Sequence, residues 1–302
     1  MPPVTLAEVS RAAERIEGSV VRTPTTRSQA LSNITGADIV VKFENLQFTG
    51  SYKERGALTK LLSLTEDEKR RGVVAMSAGN HAQAVAHHAT ILGIPAVIVV
   101  PTRSPFVKVA RARHLGADVV ETGRSLEEAA SAARTIARER NLTMVHPFDD
   151  PVVIAGQGTV ALELLHDEPG LDVLVVPVGG GGLIAGTAVV AKSRDRPVEV
   201  IGVQSDLFPS FFSRAGHPSP SEDLSLPTIA DGIAVRMPGA VTKPIVDELV
   251  DGLVTVSDAA VERAVALYLE HEKVVAEGAG AAGLAAVLGY PDRFVGRRVG
   301  LI

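Results

Sequence analysis

The sequence contains no cysteine, and this absence excludes disulfides, thiolate metal sites and cysteine nucleophiles. Long apolar runs are missing too, since no uninterrupted apolar stretch reaches the ~18 residues of a membrane-spanning helix. The N-terminus has neither the basic start nor the apolar run of a signal peptide. We therefore expect a protein that binds no membrane and works in a reducing compartment, the cytoplasm.

Runs of charge of one sign are also absent. Lys and Arg number 30, Asp and Glu number 35, and the formal net charge of −5 is spread along the chain. A nucleic-acid-binding protein normally carries a concentrated basic patch, so we expect no nucleic-acid partner. Basic stretches such as Arg134 to Arg140 are typical of solvated helix faces.

What the sequence does contain is a regular alternation of short apolar, β-branched runs with segments of helical periodicity. Such alternation is typical of α/β proteins, in which helices cover both faces of parallel sheets. A domain boundary is predicted near Met144–Pro151, and Pro218–Pro227 predicts an exposed loop. The predicted strands include Asp38–Phe43, Val73–Met76, Ala96–Val100, Asp118–Glu121, Val173–Val178, Val198–Val203, Leu253–Val256 and the final segment Arg298–Ile302, and the predicted helices include Ala82–Leu92, Ser125–Arg140, Ala185–Lys192 and Asp258–His271.

Two capping boxes are predicted at helix starts. Thr5 with Glu8 opens an amphipathic helix that runs through Ile16, and Ser51 with Glu54 opens another. The second box places Lys53 in a first helical turn, where the positive end of the helix dipole disfavours a cation. Departures from local rules concentrate at functional sites.

Lys53 is therefore a candidate catalytic residue. A lysine that forms a Schiff base must lose its proton, and both a positive local potential and desolvation lower its pKa. The alternative is a surface lysine whose aliphatic stem lies along the helix.

Two turns with small residues predict anion sites. The turn Ser77-Ala78-Gly79-Asn80-His81 lies between a buried strand and a helix, so its N–H groups suit a carboxylate or phosphate. The amide of Asn80 could hold a phenolic oxygen, although an ordinary turn with Asn80 as N-cap would also fit. The second turn consists of Gly179, Gly180, Gly181 and Gly182, followed by Leu183.

Four consecutive glycines are costly in backbone entropy, which favours a functional reason for them. Their N–H groups could wrap a phosphate at a helix start, and the alternative is a merely flexible turn. The spacing matches neither the dinucleotide fingerprint nor a Walker A loop.

Taken together, these motifs resemble the fold-type II pyridoxal-phosphate enzymes, and within them the threonine/serine dehydratases (threonine ammonia-lyases) and serine racemase. Three further motifs add to the resemblance: His146-Pro-Phe-Asp-Asp-Pro151 with Gly156-Gln-Gly158, Pro177-Val178 before the glycines, and Glu277-Gly-Ala-Gly280. The resemblance implies two open parallel-sheet domains of the tryptophan-synthase-β type, with pyridoxal 5'-phosphate in the cleft between them. The small domain would span 48–145, and the large domain 1–47 plus 146–302, with no C-terminal regulatory domain.

The same resemblance implies roles for individual residues. Lys53 would hold the cofactor and serve as general base, and Asn80 would bond the phenolic oxygen. Glu277 would lie near the cofactor ring. Gly179, Gly180, Gly181, Gly182 and Leu183 would hold the phosphate, and Ser77, Gly79, Asn80 and His81 would line the substrate carboxylate site.

The implied reaction is dehydration and deamination of threonine, and also of serine, to a 2-keto acid and ammonia, in a homo-oligomer (a dimer or tetramer). Ala78 stands where the racemases carry a serine that moves a proton on the opposite face, which favours a dehydratase. Alternatives are an enzyme acting on 3-hydroxyaspartate or another β-substituted amino acid, a serine racemase, and a non-catalytic cofactor-binding protein.

Two departures from the family concern a metal and the pyridine nitrogen. Gln204 stands where metal-binding relatives carry an acid, leaving only Asp206, so no metal is expected. We expect the histidines His87, His88 and His146 to be structural. The hydroxyl-Gly-Gly-Asn turn that contacts the pyridine nitrogen in the family is not found within the 302 residues.

Overall fold

A computed structural model describes residues 3–212 and 228–302. The predicted loop Pro218–Pro227 lies outside these residues. The strands are β1 (Thr25–Ser28), β2 (Asp38–Lys42), β3 (Val73–Met76), β4 (Ala96–Val100), β5 (Asp118–Glu121), β6 (Thr143–Met144), β7 (Val173–Pro177), β8 (Glu199–Ser205), β9 (Gly252–Val256) and β10 (Arg298–Leu301).

The helices alternate with these strands as expected for an α/β chain. They are α1 (Leu6–Ile16), α2 (Gln29–Thr35), α3 (Lys53–Leu62), α4 (Glu66–Arg71), α5 (Asn80–Ile91), α6 (Phe106–His114), α7 (Leu126–Glu139), α8 (Pro151–Asp167), α9 (Gly182–Lys192), α10 (Thr242–Leu249), α11 (Asp258–Leu267), α12 (Gly278–Gly289) and α13 (Pro291–Phe294). Within the described ranges, no helix combines the length and apolar character that crossing a membrane requires.

The strands form two separate sheets. The larger has the order β1-β2-β10-β7-β8-β9 and is parallel except for β1, which pairs antiparallel with β2. Its side chains alternate between two cores, because successive residues of a strand point to opposite faces. Leu174 and Val176 join the core under α1, α8, α9 and α10, whereas Val173 and Val175 join the core under α11 and α12.

The smaller sheet has the order β5-β4-β3-β6 and is parallel throughout. Val73 and Ala75 pack against α3 and α5, and Val74 on the opposite face packs against α7. Both faces are covered, which explains why these strands are continuous apolar runs.

Each sheet has one place where the chain order reverses direction. In the small sheet it lies between β3 and β6, and in the large sheet between β7 and β10. In open parallel sheets the ligand crevice forms at the carboxyl ends of the strands beside such a point. We therefore expect a ligand site near the segments that follow β3, β6 and β7.

The predicted fold class, α/β with two parallel sheets, is confirmed. Sequence reasoning missed β1, a polar edge strand without an apolar run, and β6, which has two residues. The predicted helix Asp258–His271 is α11 followed by a π-helical turn, Tyr268–Glu272. All strands of the small sheet lie between 73 and 144, while the domain boundaries themselves stay a prediction.

Candidate active site

The segment 146–149, which follows β6, joins the two reversal points. The carbonyl of Val145 accepts a hydrogen bond from His81 Nε2 at 2.9 Å, which ties the end of β6 to the turn after β3. The carbonyl of Pro147 accepts one from Lys53 Nζ at 2.7 Å. A Cβ added at Gly180 would lie 2.4 Å from the ring of Phe148, so that ring packs directly on the glycine turn after β7. The predicted lysine and glycine motifs thus meet at one place.

Lys53 is the first residue of α3, as the sequence predicts. Its side chain is half-buried, and its Nζ lies 5.4 Å from the centre of the Tyr52 ring. Desolvation lowers the pKa of Lys53 to about 8, and the negative charge of Glu277 opposes that shift. The amine is therefore far easier to deprotonate than an exposed lysine.

The predicted capping box at Ser51 and Glu54 is wrong. Ser51 Oγ accepts from the N–H of Lys53 at 3.2 Å rather than from that of Glu54. The N-cap residue of α3 is Tyr52, whose side chain makes no capping hydrogen bond. The Glu54 carboxylate reaches back to the N–H of Thr49 and to His88 Nε2, the latter at 3.3 Å. Burial decides this, because the neighbouring His88 and Thr49 satisfy a carboxylate that is 1% exposed.

The side chain of Arg55 anchors α3, the helix that begins at Lys53. Its guanidinium is fully buried and donates to Glu44 at 2.8 Å and to Glu163 at 2.7 and 2.9 Å. These contacts raise the pKa of Arg55 despite its desolvation. Lys42 also donates to Glu163, at 2.6 Å. Because a buried guanidinium that loses a partner is strongly destabilising, this network restricts where α3 can lie.

Helix α8 is the spacer between the lysine helix and the glycine-turn helix. A Cβ added at Gly156 would lie 2.7 Å from the Cα of Gly56 in α3, and one added at Gly186 in α9 would lie 2.6 Å from the N of Gly158. These glycines permit close backbone approach on both sides of α8. The Gly156-Gln-Gly158 motif therefore sets the distance between the two halves of the site.

The glycine turn presents free N–H groups at the start of α9. Gly181 has φ +97°, a left-handed conformation that favours glycine. Among the described residues, no protein acceptor takes the N–H groups of Gly180, Gly181, Gly182 and Leu183. Unpaired N–H groups at a helix start bind anions well.

These groups fit pyridoxal 5'-phosphate. The unpaired N–H groups of the glycine turn match its anionic phosphate, and the low-pKa amine of Lys53 matches its aldehyde. The space that a side chain would need at Gly180 and Gly181 is already occupied by Phe148, Phe211 and Thr242. A phosphate would therefore bind through the N–H groups of the turn, which have no protein acceptor among the described residues.

The turn after β3, from Ser77 to His81, is the third part of the site, beside Lys53 and the glycine turn. Ser77 Oγ accepts from the N–H of Gly79 at 3.1 Å, and Gly79 rather than Asn80 is the N-cap residue of α5. The His81 ring is 2% exposed, and burial together with the charge of Lys53 lowers its pKa to about 3. Within the described residues its Nδ1 has no hydrogen-bond partner. His81 is thus a neutral ring, and only its backbone N–H is suited to a carboxylate.

Glu277 closes the other side of the site. Asn80 Nδ2 donates to its Oε1 at 2.8 Å, which links α5 to the start of α12. Desolvation and the charge of Asp231 raise the pKa of Glu277. Asp231 in turn pairs with Lys108 of α6 at 2.5 Å. Two separate polar contacts, Asn80 with Glu277 and Lys108 with Asp231, therefore join helices of the small sheet to segments of the large one.

Several residues at the site carry no clear sequence signal. Tyr52 has a desolvated phenol whose pKa is raised by burial and by Glu277, but from sequence it is one more aromatic residue. Pro147 acts through a backbone carbonyl, which no motif can reveal. The packing of Phe148 and the contacts of Thr242 depend on chain segments far apart in sequence.

The structure gives the neighbouring histidines a carboxylate partner that the sequence did not suggest. One side-chain atom from each of Glu54, His87 and His88 could bind a metal ion, and these three atoms lie within 4.8 Å of one another. The His87 ring stacks on Phe48, with centroids 4.1 Å apart. Gln204, at the position of the expected metal-binding acid, is fully buried; its Nε2 donates to Ser210 Oγ at 2.9 Å, and its Oε1 accepts from the N–H of Phe211 at 3.0 Å.

Comparison with known proteins places this geometry in context. The family model described as "Pyridoxal-phosphate dependent enzyme" matches residues 16–302. An L-threonine ammonia-lyase of Thermotoga maritima is 47% identical over 299 residues, covering 99% of this chain and 74% of that protein.

Solved structures agree. A serine racemase of Dictyostelium discoideum has a TM-score of 0.89 and 34% identity, with 99% of this chain and 97% of that chain covered. A threonine deaminase of Solanum lycopersicum (isoform 2, processed form) has a TM-score of 0.87 and 30% identity, with 99% and 85% covered. The chain is therefore similar over nearly its full length to proteins named for two different reactions.

Proposed function

Because the chain belongs to the family of pyridoxal-phosphate dependent enzymes, we propose that it dehydrates and deaminates a β-hydroxy amino acid. Threonine is the proposed substrate, and serine a second, with a 2-keto acid and ammonia as products. The observation that carries the proposal is the Lys53 amine, with a pKa lowered to about 8, held at 2.7 Å from the Pro147 carbonyl. The relatives named for threonine support the substrate.

The chain's own residues would hold the cofactor at several points. Lys53 would bind it covalently, Asn80 would donate to its phenolic oxygen, and the N–H groups from Gly180 to Leu183 would hold its phosphate. Glu277 would lie at the ring, since it already contacts Asn80. When bound, the cofactor supplies an electron sink for the bond that breaks at the substrate Cα.

Lys53 also moves the proton. When it is not bound to the cofactor, Lys53 Nζ could accept the Cα proton of the substrate, because a pKa of about 8 leaves a useful neutral fraction near neutral pH. In the turn of Ser77, Gly79, Asn80 and His81, the N–H groups of Asn80 and His81 would hold the substrate carboxylate and orient the Cα–H bond toward that amine, since the N–H groups of Ser77 and Gly79 already donate to the protein. Overall, the Cα proton and the β-hydroxyl would leave the substrate as one water, and a second water would hydrolyse the resulting enamine to the 2-keto acid and ammonia.

The similarity to a serine racemase makes racemisation the second candidate. That reaction needs an acid on the face opposite Lys53. Ala78 occupies the turn position where the resemblance places a serine, and its methyl group can neither give nor take a proton. Dehydration needs no proton transfer on that opposite face, so Ala78 favours it.

The test is an activity assay with a panel of β-hydroxy amino acids. We expect 2-keto acid and ammonia from threonine and a smaller yield from serine, with little D-serine on chiral analysis. Ala78→Ser should add some racemisation. Efficient racemisation by the unaltered protein would contradict the assignment, and a yellow protein that turns over no member of the panel would favour a non-catalytic cofactor-binding protein or another β-substituted substrate.

We also propose a cytoplasmic location, a homo-oligomer, and a small domain spanning 48–145. The first rests on the cysteine-free sequence, the second on the resemblance. The third is supported by the small sheet, all of whose strands lie between 73 and 144.

A further inference from the structure

The carbonyl of Gly180 is held by two donors that lie far from it in sequence. Thr242 Oγ1 donates to it at 2.6 Å, and the N–H of Gly239 donates to it at 3.3 Å. Thr242 is fully buried. Both donors lie at or just before the start of α10.

A carbonyl fixed in this way also fixes the next N–H. The C=O of Gly180 and the N–H of Gly181 belong to one planar trans peptide, so they point in opposite directions. Holding the Gly180 oxygen against Thr242 therefore aims the Gly181 N–H away from α10. That N–H is one of the groups with no protein acceptor among the described residues.

The start of α10 is in turn held by Asp149. Its carboxylate accepts from the N–H groups of Ala240 at 2.9 Å, Val241 at 2.7 Å and Thr242 at 3.1 Å. Asp149 follows Phe148, whose ring packs on Gly180, and Pro147, whose carbonyl holds Lys53. The segment 147–149 therefore contacts Lys53, the glycine turn and the start of α10, whose Thr242 holds the Gly180 carbonyl.

We propose that Asp149 and Thr242 are positioning residues that aim the Gly181 N–H at the phosphate of the cofactor. The inference rests on the proposed function, because it needs pyridoxal 5'-phosphate in this site. It goes beyond that function by assigning the aim of the phosphate cradle to two side chains that do not touch the ligand. Asp149 acts through α10, and Thr242 acts through the Gly180 carbonyl.

The experiment compares pyridoxal 5'-phosphate with pyridoxal, which lacks the phosphate. Apo protein is titrated with each, and the lysine adduct is followed by absorbance. Thr242→Val removes the hydroxyl with little change of shape, and should weaken pyridoxal 5'-phosphate binding on the order of tenfold while leaving pyridoxal binding unchanged. Thr242→Ser keeps the donor and should restore wild-type selectivity. Asp149→Asn should act in the same direction as Thr242→Val.

Asp150→Asn is the matched control. Asp150 is the same residue type and also half-buried, but it caps α8 through Val152 and pairs with Lys60. It should leave the selectivity for phosphate unchanged even where apo stability falls. The ratio of the two affinities is the readout, because partial unfolding lowers both affinities by the same factor.

Two results would overturn the inference. One is wild-type selectivity in both Thr242→Val and Asp149→Asn, and the other is an equal loss for pyridoxal and its phosphate. A wild-type protein that forms no Lys53-dependent adduct with either compound would overturn the proposed function itself, and this outcome is distinct from the first two.

Discussion

Two groups of helices begin in different ways in this molecule. Helices α1, α4, α7 and α8 each begin with a side chain that accepts from the backbone of the first turn. In the described part of the chain, the N-cap residues of α3, α5, α9 and α12 make no side-chain hydrogen bond to the first turn. The second group carries the candidate site, with Lys53, Asn80, Gly182 and Gly278 at the first helical positions.

The difference shows what the site needs. A side-chain cap stabilises a helix by about 1 kcal/mol, so leaving it out has a cost. An uncapped start keeps its N–H donors for a ligand anion and keeps its positive potential. Helices α6, α10 and α13 also lack a cap of their own among the described residues, but α10 receives one from Asp149 and α13 begins with Pro291. A missing cap is therefore informative only where several such starts converge.

The largest expected effect is at the start of α3. Lys53→Ala should lower turnover at least ~10³-fold, because it removes both the attachment point and the general base. The fold should remain, since Arg55 and Glu54 still anchor the helix. Keto-acid release and circular dichroism measure the two effects. Lys60→Ala, in the last turn of the same helix, should keep most of the activity, and equal losses in both variants would refute the assignment.

The pH dependence of cofactor attachment comes next. The pKa of Lys53 is lowered from 10.5 to about 8, so the nucleophilic neutral amine forms as pH rises through about 8. The rate of adduct formation in apo protein should therefore rise about tenfold per pH unit below this value and level off above it. In the same apo protein, this group makes the folded state more stable as pH rises from about 8 to 10.5, because only the unfolded chain still holds the proton.

Glu277→Gln tests the cause of that pKa. The charge of Glu277 opposes the downward shift, so its removal should move the midpoint of attachment to lower pH. A midpoint near 10.5 in the unaltered protein would show that Lys53 is solvated as an ordinary lysine.

A smaller effect is expected at the start of α9. Gly181→Ala places a Cβ 2.7 Å from Phe211 and 2.9 Å from Thr242, at a residue with φ +97°. We expect pyridoxal 5'-phosphate affinity to fall by about tenfold or more, since the turn must shift to relieve the contact. Gly289→Ala is the control, because nothing lies within 4 Å of its added Cβ. Cofactor titration of both variants decides whether the conformation of the turn matters.

The smallest effects separate the two groups directly. Ser125→Ala removes the cap of α7, where Ser125 Oγ accepts from the N–H of Glu128 at 3.2 Å, and should cost about 1 kcal/mol of unfolding free energy without changing cofactor affinity. Asn80→Ala should do the reverse, weakening the cofactor severalfold at nearly constant stability. Denaturant unfolding and cofactor titration give both numbers. If both variants lost stability alone, the contrast between capped and uncapped starts would carry no functional meaning.

Several features follow from local sequence. The alternation of apolar runs with helical periodicity predicted both parallel sheets, because buried parallel strands must be apolar on both faces. Lys53 stood out because a cation in a first helical turn breaks a local rule, and the four glycines stood out because they are costly in entropy. The capping box of Thr5 and Glu8 was predicted and is present, since its geometry spans only three residues.

Only the tertiary structure decided how these pieces meet. Glu54 contacts Thr49 and His88 instead of forming the predicted capping box, because a buried carboxylate bonds to the partners that packing brings to it. The close contacts of Gly56 with Gly156, and of Gly158 with Gly186, set the spacing of the two halves of the site. The link from Asp149 through Thr242 to Gly180 spans more than ninety residues of chain. Such contacts depend on which segments the folded sheets bring together, and sequence spacing carries no record of that distance.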